Sequence, residues 1–248
     1  MRALVTGGAK RVGRAICLSL AEAGFEVLIH HRASPEEAQT LAQELCTRGA
    51  RASVLQADLA QESECSRLAT QAGPLDLLVN NAAAYAPCAL ADLDAATWDA
   101  MMAINLRAPF LLSRAFADSL AKSTLPGGGH ILNLADIGAE RPAPGFVHYA
   151  VSKAGIVMLT KALALELAPR VRVNAIAPGT VLAPEDLGPA QLARIRESIP
   201  LGRLGSPEDI ARAALFLTLG APYISGQVLA VDGARSLMGP LSLDRPEP

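Results

Sequence analysis

Residues 2–16 read RALVTGGAKRVGRAI. The apolar run ALVTG, residues 3–7, has strand character, and a helical pattern sets in at Arg11 and runs to Ala23. Between them lies TGGAKRVG, Thr6 to Gly13. Glycine lets the chain turn sharply and lets a second backbone come close, while the N–H groups at the start of the next helix attract an anion. A single strand-to-helix turn of this kind is weak evidence for anything. What decides the fold is that the unit it belongs to repeats along the chain.

FEVLIH (25–30) is followed by a helical pattern over 35–47, RASVLQAD (51–58) by one over 61–72, and LDLLVNNA (75–82) by a helical region from Thr97. GHILNLA (129–135) precedes a helix over about 148–167, VRVNAIAP (171–178) precedes a helix opened by SPEDI (206–210), and QVLAVDG (227–233) closes the series. This alternation implies right-handed βαβ crossovers and a parallel sheet. LDLLVN and HILNLA are nearly unbroken apolar runs, as strands covered on both faces should be. The fold expected is α/β, a single-domain Rossmann-type doubly wound parallel sheet with helices on both faces. Ser34 and Ser206, each followed by proline and acids, read as helix N-caps. There is no internal repeat or linker, so residues 1–239 are expected to form one domain. Residues 182–200, helical but broken by prolines, follow a strand's carboxyl end and are expected to act as a lid. Residues 240–248 read as a loose tail.

The 248 residues suffice for a sizeable core, and 51% of them are hydrophobic although only 4% are aromatic. Net charge is -2 with no run of like charges, which argues against nucleic acid or an anionic membrane as partner. No stretch reaches the roughly 18 apolar residues of a membrane helix, and the first strand begins at Arg2 without a leader pattern. A cytoplasmic protein is expected. Cys17, Cys46, Cys65 and Cys88 form no CxxC pair, so they read as buried or half-buried thiols, and no metal site is expected.

At the amino terminus of such a doubly wound pattern the glycine turn is where a dinucleotide pyrophosphate belongs. An acid about 20 residues further on would bind the ribose hydroxyls of NAD. IHHRAS (29–34) has none; His31 and Arg32 stand there, with Lys10 or Arg11 able to add charge. A guanidinium fork matches a phosphate, so NADP(H) is the cofactor expected. Asp58 could accept from the adenine amino group or cap the helix that follows.

A second stretch, NLADIGAERPAPGFVHYAVSK (133–153), places Tyr149 and Lys153 one helical turn apart, with Asp136 thirteen positions upstream. The glycine turn, NNA (80–82), Asn105 in INLRAP (104–109), Tyr149-xxx-Lys153 and APG (177–179) fall in the order and spacing of the short-chain dehydrogenase/reductase family. The sequence resembles that family over residues 2 to about 233. The resemblance implies that Tyr149 transfers the proton, that Lys153 binds the nicotinamide ribose and lowers the tyrosine pKa, and that Asn105 holds a water in a proton relay. It also implies cofactor contacts from Gly7, Lys10, Arg11, Val12, Gly13, His31, Arg32, Asp58, Leu59, Asn81, Ala82, Pro178 and Gly179, and assembly as a homotetramer through the helices carrying Asn105 and Tyr149.

The pattern departs from the family at Asp136, where serine is usual, at Arg11, where glycine is usual, and at Ala83, where glycine follows NNA. AKRVGRAI (9–16), HHR (30–32), NNAAAYAP (80–87) and NLAD (133–136) together resemble the family's pteridine reductases, including dihydromonapterin and alternative dihydrofolate reductases. In those enzymes an aspartate replaces the serine, an arginine occupies the glycine turn, and an aromatic that aligns with Tyr85 stacks on the substrate. The resemblance implies NADPH-dependent reduction of a pterin or dihydropterin, with Tyr85, Arg11 and Asp136 at the substrate. A carbonyl reductase of 3-oxoacyl thioesters or another small ketone stays open, as does a nucleotide-binding regulator. Asp136 should raise the tyrosine pKa and Lys153 should lower it, in coupled titrations.

Overall fold

The computed structural model describes residues 1–182 and 188–238. Seven strands form one parallel sheet: β1 (Arg2–Val5), β2 (Glu26–His31), β3 (Ala52–Gln56), β4 (Leu77–Asn80), β5 (Gly129–Leu134), β6 (Val171–Pro178) and β7 (Val228–Val231). Their order is β3-β2-β1-β4-β5-β6-β7. The chain builds outward from β1 in one direction and, from β4 onward, in the other. The crevice beyond the carboxyl ends of β1 and β4 is therefore the switch point at which doubly wound sheets take ligands.

The helices are α1 (Arg11–Glu22), α2 (Pro35–Thr47), α3 (Glu62–Ala72), α4 (Ala95–Met102), α5 (Ala108–Leu120), α6 (Val147–Glu166), α7 (Pro189–Glu197) and α8 (Pro207–Leu215). Successive strand residues face opposite sides. Ala3, Val5, Val27 and Ile29 join Ile16, Leu20 and Leu41 from α1 and α2 and Ile210 from α8 on one face, while Leu4, Leu28, Leu78 and Ile131 join Leu68, Leu112 and Phe116 from α3 and α5 on the other. Each such Leu or Ile contributes about 1.5–3 kcal/mol by leaving water, which explains why β4 and β5, buried along their whole lengths, read as unbroken apolar runs.

Ser206 caps α8 as expected, its hydroxyl accepting from Asp209 N–H. Ser34 stands at the N-cap of α2, but its side chain makes no capping bond. Asp58 is not the cap of α3, which begins at Glu62 behind Gln61; its Oδ1 instead accepts from Ala60 N–H at 3.1 Å, closing a turn. Between α4 and α5 the helix widens into a π turn over Ala103–Arg107. Of the expected lid, residues 183–187 lie outside the described residues, as does the expected tail at 240–248. Among the described residues no helix is long and apolar enough to cross a membrane.

Candidate active site

Asparagine and threonine side chains lock the glycine turn. Thr6 Oγ1 donates to Val79 O and accepts from the N–H groups of Asn81 and Ala82, at 2.9 and 3.0 Å, and Asn81 Nδ2 donates back to Thr6 O and Gly7 O. The end of β1 is thus tied to the end of β4. Gly7 has φ +62°, a left-handed conformation, and a Cβ on Gly13 would fall 2.2 Å from Gly7 O. Arg11, also left-handed at φ +53°, is held in a conformation that costs a residue with a Cβ about 1–2 kcal/mol.

His30 supports the turn from β2. Its Nδ1 accepts the Gly7 N–H at 3.0 Å and its Nε2–H donates to Ala57 O at 3.1 Å, so the ring serves only in its neutral form. Burial holds its pKa down to about 4. His31 Nδ1 accepts from Ser34 N–H, and burial pulls its pKa below the ordinary value despite the opposing charge of Glu37. Lys10 is paired with Glu37 at 2.6 Å, whereas Arg32 is exposed and has no ion pair among the described residues.

This turn forms one end of a cavity of about 1470 Å³ that runs past the ends of β4, β5 and β6. The cavity is lined by Gly7, Lys10, Arg11, Val12, Gly13, His31, Arg32, Asp58, Leu59, Asn81, Ala82, Tyr85, Asp136, Tyr149, Lys153, Pro178 and Gly179. Every candidate cofactor, substrate or catalytic residue of the sequence therefore lines it, with one exception. Asn105 is buried, its Oδ1 accepting from Ala84 N–H at 2.8 Å and its Nδ2 donating to Ala84 O and Ser152 Oγ. Its amide clasps the loop that carries Tyr85.

At the far end Tyr149 Oη donates to Asp136 Oδ2 at 2.9 Å. Asp136 sits just past β5 with its Oδ1 held at 2.6 Å by Gly138 N–H, which fixes the carboxylate toward the phenol. Lys153, only 4% exposed, donates to Leu134 O at 2.8 Å and lies 5.7 Å from the centre of the Tyr149 ring. Its helix is fastened to the sheet by a buried polar chain: Asn80 Nδ2 donates to Asn133 Oδ1, Asn133 Nδ2 to Thr160 Oγ1, and Thr160 to Ile156 O.

The expected lowering of the tyrosine pKa by Lys153 is not what this geometry gives. Burial, followed by the charge and hydrogen bond of Asp136, raises the Tyr149 pKa well above its usual value. Burial lowers that of Lys153 to about 8, opposed by Asp136. The phenol is held protonated with its proton aimed at the carboxylate.

Sequence reasoning missed Phe146. Tyr85 stacks on it with ring centres 4.8 Å apart and meets Tyr149 edge-on at the same distance, so three rings form one wall. It also missed His30, whose adjacency to Gly7 depends on the pairing of β1 with β2, and Arg141 and Arg235, which line the cavity from loops distant in sequence.

Residues 7–234 match the family model described as enoyl-(acyl carrier protein) reductase. The chain belongs to the short-chain dehydrogenase/reductase family. This reductase is 35% identical over 242 residues to the 3-oxoacyl-[acyl-carrier-protein] reductase FabG of Staphylococcus aureus, covering 93% of this chain and 96% of that protein. Among solved structures it resembles the FolM alternative dihydrofolate reductase 1 of Brucella canis complexed with NADP, with TM-score 0.86 and 34% identity over 97% of this chain and 96% of that one. It also resembles a blue fluorescent protein from a metagenomic library in complex with NADPH, with TM-score 0.85 and 32% identity over 94% and 96% of the two chains. Against the family pattern, the short-chain reductase described here keeps the tyrosine–lysine pair and carries Asp136 hydrogen-bonded to it.

Proposed function

We propose that this protein is an NADPH-dependent reductase of a pterin or dihydropterin. The observation that carries the reading is the 2.9 Å bond from Tyr149 Oη to Asp136 Oδ2, inside the cavity that begins at the glycine turn. The cofactor fits the residues present: Gly7 and Gly13 let the turn pack tightly on itself and on Asn81, which sets the N–H groups at the start of α1 where they suit a pyrophosphate, and exposed Arg32 just past β2 suits a 2′-phosphate. The NADP and NADPH bound by the two similar structures support the same choice. Bound there, the dinucleotide would supply the hydride.

This chain's own residues then handle position and proton. Lys153, on the cavity wall beside Leu134, orients the nicotinamide ribose. Tyr85 and Phe146 offer flat faces for a heterocycle. Tyr149 keeps its proton on Oη as the donor facing the substrate, and the Asp136 carboxylate, bonded to that hydroxyl, can accept from a ring N–H or amino group or, when protonated, pass its own proton to a ring nitrogen. A ketone needs only a hydrogen-bond donor to its oxygen, so a carboxylate beside the tyrosine serves a ring nitrogen or amino group better. Asn105 acts as a positioning residue, holding the backbone before Tyr85. Of the expected lid, Leu182, Ile195 and Ser198 stand on the cavity wall, where they can cover the substrate.

The likeness to the Staphylococcus aureus 3-oxoacyl reductase supports a second reading, in which Tyr149 protonates a ketone oxygen directly. Purified enzyme with NADPH and, in parallel, dihydrobiopterin, dihydrofolate and acetoacetyl thioester separates the two readings. Oxidation of NADPH with the pterins is expected, and turnover of the thioester alone would remove the pterin assignment.

A further inference from the structure

The cavity wall carries two arginines with no role in the chemistry above. Arg141 follows the short turn after Asp136, and Arg235 follows β7, 94 residues further along the chain. Both line the same cavity as Asp136 and Tyr85. Neither forms an ion pair among the described residues, whereas Lys10 at the other end is neutralised by Glu37. Two guanidinium groups without a counter-ion among the described residues, on the wall of a cavity that also holds the Asp136 carboxylate, suit a ligand that bears a negative group away from its reacting end.

The placement is built. Asp232 accepts from the N–H groups of Ala234 and Ser236, at 2.9 and 2.7 Å, and so closes a tight turn around Arg235. Within that turn Ala234 is left-handed at φ +68°, a conformation unfavourable for alanine. One nitrogen of Arg235 donates to Thr180 Oγ1, and one nitrogen of Arg141 donates to backbone carbonyls of the same turn, Ser236 O at 2.8 Å among them. Each guanidinium is thereby held by one nitrogen, and the remaining donors of each fork have no partner among the described residues and can meet a ligand. Arg235 is close enough to Tyr85 to oppose the rise in its pKa, which burial and then Asp136 cause.

We infer that Arg141 and Arg235 form an anion subsite that selects substrates with a carboxylate or phosphate on an arm remote from the group being reduced. The inference rests on the cavity being the reductase site proposed above, but not on whether a pterin ring or a ketone is reduced there.

The test pairs an anionic with an uncharged substrate in each class: dihydrofolate with dihydrobiopterin, and acetoacetyl coenzyme A with ethyl acetoacetate. Binding to the NADP-loaded enzyme and kcat/KM are both measured for wild type, Arg235→Gln, Arg235→Lys and Arg141→Gln. In whichever class is bound, Arg235→Gln and Arg141→Gln are each expected to cost the anionic member about tenfold, through KM with kcat held, and the uncharged member less than about twofold. Arg235→Lys should recover most of the loss, and added salt should shrink the wild-type preference. Equal losses on both members would assign the arginines to fold stability and overturn the subsite, as would an unchanged ratio between members. An anionic preference confined to the thioester pair would keep the subsite and remove the pterin reading, while binding of none of the four would remove both.

Discussion

Tyr149 and Lys153 are both shielded from water, and burial acts on them in opposite senses: it keeps the phenol protonated and discourages the ammonium. The Lys153 pKa is lowered from 10.5 to about 8. Between those values the unfolded chain binds the extra proton, so this group makes stability rise with pH across that window. At neutral pH the buried ammonium costs on the order of 3 kcal/mol, only partly offset by its bond to Leu134 O. Lys153→Met should therefore lower kcat/KM by about a hundredfold or more while the protein melts at the same temperature or higher. A fall in melting temperature of more than about 5 °C, roughly 1–2 kcal/mol for a chain of this size, would instead make the lysine a structural anchor.

The elements around the glycine turn give a pH signature. His30 accepts the Gly7 N–H and is held near pKa 4 against 6.5 when free, the cause being burial. Its contribution to stability is complete above pH 6.5 and is lost as pH falls toward 4, because the unfolded state binds the proton more readily. His30→Gln should flatten that acid limb of the unfolding curve, while folded wild type should lose NADPH affinity only as pH nears 4; an acid limb identical in the two proteins would remove the role. This turn also marks how far the sequence could be read. The bounds of α2 and β6 coincide with the sequence pattern, because caps, prolines and apolar runs are local signals. The π turn at Ala103–Arg107 has no local signature, since it depends on how α6 packs there: a Cβ on Gly155 would lie 2.7 Å from a Leu106 methyl. Tyr149, Lys153 and Asp136 were legible as chemistry in a spacing, whereas the direction of the tyrosine shift depended on a burial that no spacing encodes. Phe146 and Arg235 gain their places only through the closed fold.

In the whole molecule, α6 couples the site to an apolar surface. Val147, Val151, Met158 and Leu165 are exposed on this helix, Leu165 by 84%, and Phe110 is exposed on α5. We expect a homotetramer to cover them, so that Met158→Glu with Leu165→Glu should shift the mass in sedimentation toward smaller species and lower activity through α6. An unchanged mass would place the interface elsewhere. The substrate assignment turns on a single carboxylate facing that helix. Its most direct test is the ratio of kcat/KM for dihydrobiopterin to that for acetoacetyl thioester, with NADPH, in wild type and Asp136→Ser. The expected result is a ratio favouring the pterin in wild type that falls by about a hundredfold or more in the variant, with NADPH binding and melting temperature preserved. Pterin turnover surviving the substitution to within a few fold would contradict the role given to Asp136.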